Sequence, residues 1–366
     1  MSAGATGDTR RMHPATPDLS FGDLTPEFML DALEAAGLRA DGRMLQLNSF
    51  ENRVLMLHLE DARLGSSAAV AKFYRPARWS DAQILEEHAF ATELAAAEVP
   101  VAAPWTLGNG STLFHYEGQR VAVTPRQGGR GPELEDPDVL RWIGRLLARL
   151  HGVGRQRAFV DRMSWASAAP AQAARDWLMA HDAIPPELAP AWDDAARRCI
   201  DGIQAVFDGL PGLQLTRLHG DCHPGNILWT PDRGPHFVDL DDAVMGPAVQ
   251  DLWMLLPGPL DAGDAARRQL NAVLDGYEQI AEFDDRELRL IEPLRTMRMI
   301  HHSAWLARRW GDPAFPVAFP WFGTPNYWMD QVALLREQLE AMRPKDAPPP
   351  AARNEDIVDF DGDGFA

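Results

Sequence analysis

Across residues 125–133 the sequence reads Pro-Arg-Gln-Gly-Gly-Arg-Gly-Pro-Glu, and the texture of the chain changes there. Upstream, apolar residues come in short β-like runs. MLQLNSFENRVLMLHL (44–59) and AAVAKFY (68–74) read as three strands of an antiparallel sheet, and STLFHYEGQRVAVTP (111–125) reads as a hairpin with Glu117-Gly118 in its turn. One helix lies among them, DAQILEEHAFATELAAAEV (81–99), with Ile84, Leu85, Phe90 and Leu94 on one side. Another precedes them, LTPEFMLDALEAAGL (24–38), with Thr25 as cap, Pro26 in the first turn and Gly37 at its end. Downstream, helical periodicity dominates, at 136–154, 171–181, 188–208, 248–256, 263–282, 285–310 and 327–342. Between the third and fourth of these helices fall a polar loop with short apolar runs (213–230) and a strand, HFVDL (236–240).

Sheet first and helices afterwards is an α+β order, not the strand–helix alternation of a parallel sheet. A Gly- and Pro-rich break between the halves makes two lobes on a short hinge the economical architecture. The expected divisions are a flexible N-terminal tail at 1–19, a sheet-bearing lobe at 20–125, a hinge at 126–131, a helical lobe at 132–345 and an acidic tail at 346–366.

Charge narrows the partners. The 53 acidic residues outnumber the 35 basic ones, for a formal charge of -18, which argues against nucleic acid or anionic lipid as the ligand. Two cysteines, Cys199 and Cys222, make no disulfide framework and fit a reducing cytoplasm. No secretory signal or membrane-length apolar run is visible, so a cytoplasmic monomer is expected.

The densest chemistry is His219-Gly220-Asp221-Cys222-His223-Pro224-Gly225-Asn226, followed by Phe237-Val238-Asp239-Leu240-Asp241-Asp242. Asp221 and Asn226 share one irregular loop, and a hairpin-like return brings Asp239 beside it. That gives one candidate base and two oxygen donors around a single space, the kind of set Mg²⁺ uses when nucleotide phosphates and water complete its shell. A zinc reading of His219, Cys222 and His223 lacks a fourth N or S ligand at suitable spacing. The bland reading, a polar loop that merely turns, suits any one of these residues better than the ordered set.

That motif resembles the phosphotransferase branch of the protein-kinase-like fold, which holds aminoglycoside phosphotransferases, choline kinases and homoserine kinases. More narrowly, LNSFENRV (47–54), KFYRPARW (72–79), ILEEHAF (84–90), HGDCHPGNILW (219–229), FVDLDDAVMGPAVQDLWML (237–255) and AWLARRWGDPAFPVAFPWF (304–322) resemble the bacterial stress response kinase A family. The resemblance implies a two-lobed protein-kinase-like fold with ATP and Mg²⁺ as cofactors. It makes Asp221 the residue that positions the acceptor hydroxyl, Asn226 and Asp239 the metal ligands, and Lys72 the holder of the nucleotide phosphates. Glu87 becomes the ion-pair partner of Lys72, with Glu86 the open alternative. Ser49 falls in the phosphate-covering turn, and His219 and Asp251 support the catalytic loop. Adenine is expected at the hinge near Thr124, Pro125, Arg126 and Gln127, with a neighbour of Pro125 supplying the donor that proline lacks.

Two departures from ordinary protein kinases stand out. No GxGxxG occupies the first hairpin, so Ser49 and Asn52 are expected to help contact the phosphates. Gly246-Pro247 follows Asp239 almost at once, leaving no room for a long activation segment.

Taken alone, Lys72 reads as a solvated strand lysine, Glu86-Glu87 as a solvated helix face, and Cys222 as a small loop residue. The aromatic segment 312–328 reads as packing that also shapes an acceptor pocket. Arg308 and Arg309 read as surface residues at a helix end. Asp359, Asp361 and Asp363 read as solvated, not as a calcium loop.

The resemblance implies an ATP-dependent serine/threonine protein kinase, with autophosphorylation, acting on a protein substrate in a bacterial stress response. A small-molecule hydroxyl kinase is the alternative, and a non-catalytic nucleotide-binding module the third reading.

Overall fold

The computed structural model describes residues 21, 24–63, 66–259 and 263–343. The expected tails at 1–19 and 346–366 lie outside the described residues. Helix α1 (Pro26–Ala35) starts where the sequence places it, with the Thr25 hydroxyl accepting the Phe28 N–H at 3.2 Å and proline in the first turn. Strands β1 (Ala40–Gln46), β2 (Arg53–Arg63), β3 (Ser66–Phe73), β4 (Phe114–Tyr116) and β5 (Gln119–Pro125) form one antiparallel sheet in the order β1-β2-β3-β5-β4. Alternation decides what the sheet presents. Ala71 and Phe73 are buried beneath it with Leu55, Leu57, Val121 and Val123. Lys72 lies between them and so projects from the opposite face.

Helix α2 (Asp81–Ala96) opens with a capping box between Ser80 and Gln83. Ile84, Phe90 and Leu94 are buried as expected, but Leu85 is 41% exposed. Glu87 and His88 take the buried stripe instead. Phe90 and Leu94 belong to the core of the helical lobe, so α2 is packed against that lobe although the chain places it among the strands.

The helical lobe holds α3 (Pro137–Gly154), α4 (Ala169–Ala180), α5 (Ala189–Asp208), α6 (Val249–Trp253), α7 (Asp264–Tyr277), α8 (Ile291–Arg309), α9 (Ala314–Ala318) and α10 (Pro325–Ala341). The predicted helix at 285–310 divides: a 3₁₀ turn, Asp285–Leu290, comes before α8. Two small ribbons cross the lobe. Strand β6 (Thr216–Leu218) pairs with β9 (Val244–Gly246), and β7 (Ile227–Thr230) pairs with β8 (Gly234–Phe237). The loops that follow β6 and β8 carry the candidate site residues. The expected strand 236–240 stops at Phe237, because Asp239 takes a left-handed conformation (φ 60°) that a strand does not accept. The result is the two-lobed α+β architecture that the break at 125–133 implies.

Candidate active site

The loop after β6 is held from below by one buried carboxylate. Asp251, on α6, accepts the His219 N–H at 2.9 Å and the Gly220 N–H at 2.8 Å, and His151 Nε2 stands 3.0 Å from it. Gln250 donates to the Gly220 carbonyl at 3.0 Å. His219 Nε2 contacts the Val238 carbonyl at 2.9 Å, tying this loop to the strand that leads to Asp239. Gly220 has φ +82°, and a Cβ there would lie 2.1 Å from the Asp242 carbonyl oxygen. Only glycine lets the two functional loops approach so closely. Asn226 ends a 3₁₀ turn, and its side-chain amide donates to the Asp221 backbone carbonyl at 2.9 Å, which leaves the side-chain oxygen Oδ1 for a cation.

Asp239 is the second arm. Its strained left-handed backbone turns a carboxylate that is 48% exposed toward the cleft, 2.7 Å from Lys72 Nζ. Lys72 also stands 3.8 Å from Asp241. Burial favours the neutral amine, yet Asp239 and Asp241 outweigh it and hold the Lys72 pKa well above its usual value. Asp241 is itself buried and is pinned by Arg78 and by the Asn52 amide at 3.1 Å. Burial would raise its pKa, but Arg78, Lys72 and Arg162 hold it well below the usual carboxylate range.

Three expectations change here. Lys72 pairs with Asp239 and Asp241, not with Glu87, because Arg78 and Asn52 fix Asp241 on the far wall opposite the ammonium. Glu87 is buried nearby with no hydrogen-bond partner at Oε2, and burial lifts its pKa to about 7 against the opposing charges of Lys72 and Arg162. Glu86 points elsewhere and accepts the N–H groups of Val160, Asp161 and Arg162 at 2.6–3.0 Å, so helix facing leaves Glu87 as the acid on the Lys72 side. Finally, Asn52 is unavailable to phosphates, since its amide bridges Asp241 and the Arg75 N–H. Ser49 caps the same turn, accepting the Asn52 N–H at 3.3 Å.

The loop at 47–52 is strapped to the helical lobe. The Glu51 carboxylate accepts from Trp305 Nε1 at 2.6 Å and from Arg309 at 2.8 Å. Arg75, fully buried, donates to the Phe50 and Glu51 carbonyls and to Asp312, each at 2.9 Å. The Phe50 ring lies 4.9 Å from that of Phe319 and 6.2 Å from that of Phe315. The segment 312–328 therefore does more than pack helices. Arg309, expected at the surface, is 9% exposed and serves the strap, and Arg308 lies over the Trp177 ring at 5.1 Å.

At the hinge, Thr124 and Pro125 are still in register with Val70 and Ala69 of β3. The Arg126 N–H is spent on the Ala68 carbonyl, leaving Gln127 and Gly128 as the next backbone donors. The zinc set does not converge: His219 binds a carbonyl, burial pushes the fully covered Cys222 thiol up, and His223 faces Asp221 at 3.6 Å. The oxygens of Asn226 and Asp239 are hard donors, and two of them on facing loops fit a Mg²⁺-like ion that takes its other ligands from phosphate and water.

Glu51, Arg75, Arg78 and Arg298, whose Nη2 lies 2.7 Å from Asp221 Oδ1, carry no local sequence signal. Lys72 carries one: of 35 basic residues only Lys72 and Lys345 are lysines.

Residues 44–291 match the phosphotransferase enzyme family. The chain is 44% identical over 331 residues to stress response kinase A of Escherichia coli (strain K12), covering 88% of this chain and 95% of that one. It is 44% identical over 327 residues to the serine/threonine protein kinase RdoA of Salmonella typhimurium (strain LT2), with the same coverage of both chains, 88% and 95%. Among solved structures it is similar to an amicoumacin kinase in complex with AMP-PNP, Ca²⁺ and its ligand (TM-score 0.66, 20% identity, 87% of this chain and 94% of that one). It is also similar to a microcompartment-associated aminopropanol kinase (TM-score 0.63, 16% identity, 86% and 98%). At these identities the structures share the fold with this chain.

Proposed function

The chain belongs to the phosphotransferase enzyme family and, within it, to the stress response kinase A group, and we propose that it transfers the γ-phosphoryl of ATP to serine or threonine of a protein, itself included. The observation that carries this reading is the meeting of Lys72, Asp221, Asn226 and Asp239 on one cleft from three separate segments, β3, the loop at 219–226 and the turn after β8. A protein acceptor in a stress-response role is supported by the relatives at 44% identity and by the name of one of them.

Each residue then has a task. Lys72, held charged by the acids around it, binds nucleotide phosphate oxygens. Asn226 and Asp239 hold Mg²⁺, which neutralises charge on the phosphate oxygens when bound. The loop at 47–52, strapped down through Glu51 and Phe50, covers the phosphates and excludes water. Asp221 accepts the hydrogen bond of the acceptor hydroxyl and aligns it for in-line attack.

One observation favours a small hydroxyl compound instead. Strand β9 begins at Val244, so Asp239 is followed by no long segment on which a peptide could lie. Labelled ATP with Mg²⁺, offered proteins on one side and sugars, choline and amino alcohols on the other, separates the two. Label on Ser or Thr that vanishes in Asp221→Ala is expected. Transfer to a small hydroxyl with none to protein overturns the protein-kinase reading, and ATP binding without turnover overturns catalysis altogether.

A further inference from the structure

We propose that Arg298 is the positioning residue of the acceptor side: its guanidinium holds one carboxylate oxygen of Asp221 and leaves the other for the acceptor hydroxyl. This rests on the phosphotransferase reading above and adds a residue to it.

The geometry is asymmetric. Arg298 reaches in from α8 and places Nη2 2.7 Å from Asp221 Oδ1, with the two side chains 35% and 18% exposed. Oδ2 has only long neighbours, Asn226 Nδ2 at 3.4 Å and His223 Nε2 at 3.6 Å. Contacts of that length are weak, so Oδ1 is buried against Arg298 in an ion pair, with no hydrogen bond, while Oδ2 remains open to a new donor.

The charge balance explains why an arginine is needed. The loop 219–226 contains no lysine or arginine of its own. Nδ1 of the His223 ring accepts the Gly225 N–H at 3.0 Å, so the ring proton sits on Nε2 and the imidazole faces Asp221 as a neutral donor. Burial likewise keeps His301, with a pKa of about 4, and His302 neutral. Arg298 is thus the lasting positive charge beside Asp221, and it lies within electrostatic reach of Asp242 as well. Guanidinium cannot lose its charge in a protein, which suits it to this place.

The test is steady-state kinetics on the full chain, using whichever acceptor the wild type phosphorylates. Arg298→Gln is expected to lower kcat about 10- to 100-fold while the Kd for ATP with Mg²⁺ stays within about twofold. Arg298→Lys should recover part of the loss, and thermal melting should move little for either variant, because the side chain is partly exposed. In an Asp221→Asn background Arg298→Gln should cost nothing further, which a merely structural role would not produce. Wild-type kcat in Arg298→Gln, a loss confined to nucleotide affinity, or an equal loss in the Asp221→Asn background each overturns the proposal. If the wild type phosphorylates only small hydroxyls, the protein-kinase reading fails while Arg298 is judged on the same kcat. A wild type that transfers to nothing overturns both.

Discussion

The two faces of the cleft are built differently. On the face that carries Lys72, Lys72, Arg78 and Asn52 converge on Asp239 and Asp241 from β3 and the loops around it, and Lys72, Arg78, Asn52 and Asp241 each have more than one partner residue. On the acceptor face, Asp221 has one close ionic partner, Arg298, which is one-third exposed. Dense, buried networks resist rearrangement and fix geometry before a ligand arrives. A single half-exposed pair can open to let an acceptor in. Under the proposed function, the cleft is rigid where phosphates would be aligned and adjustable where an acceptor would enter.

That contrast can be broken in stages. Asp221→Ala should remove the function of the acceptor face while sparing the other: transfer falls about 10³-fold, and nucleotide binding by titration calorimetry is unchanged. A parallel loss of nucleotide affinity would mean the faces are not separable. Asp251→Ala should damage both together, since it leaves the N–H groups of His219 and Gly220 buried without an acceptor. A stability loss of about 3 kcal/mol in urea titration is expected, with both binding and transfer impaired. Lys72→Arg probes the nucleotide face alone. The forked guanidinium does not fit a space shaped for a point charge between Asp239 and Asp241, so kcat should drop about 10²-fold. Retained activity would show that any cation suffices. Smallest is Glu51→Gln, which loosens the strap between the faces. KM for nucleotide and for acceptor should rise together, by about tenfold or less; a rise for nucleotide only would show that the strap does not couple them.

The sequence exposes these two faces unequally as well. Asp221, Asn226, Asp239, His219 and Asp251 fall within one stretch of chain, where spacing alone announces a loop–strand–loop unit. Lys72 stands out by its neighbours and by the rarity of lysine in this composition. The strands, the helices and the break at 125–133 follow from periodicity, which depends on neighbours close along the chain. Arg298, Arg78, Arg75, Glu51 and Arg309 owe their roles to contacts across the cleft, and nothing local distinguishes a buried arginine in a network from a solvated one. For the same reason Leu85 and Glu87 exchange their expected environments: the helical lobe, packed against α2, decides which side of that helix is covered. Asn52 is misread because its partner Asp241 is far away in sequence.

The pairing of Lys72 with Asp239 and Asp241 has a consequence for chemical labelling. Among the described residues Lys72 carries the sole ε-amino group. Acylating and reductive-alkylating reagents attack only the unprotonated amine, and the acids across the cleft keep this one charged. The folded body should therefore resist such reagents at a pH where surface lysines of ordinary proteins are consumed. Charge-neutralising substitution at Asp239 should render that one amine reactive, so an added mass on the peptide that bears Lys72 would report the electrostatics of the cleft.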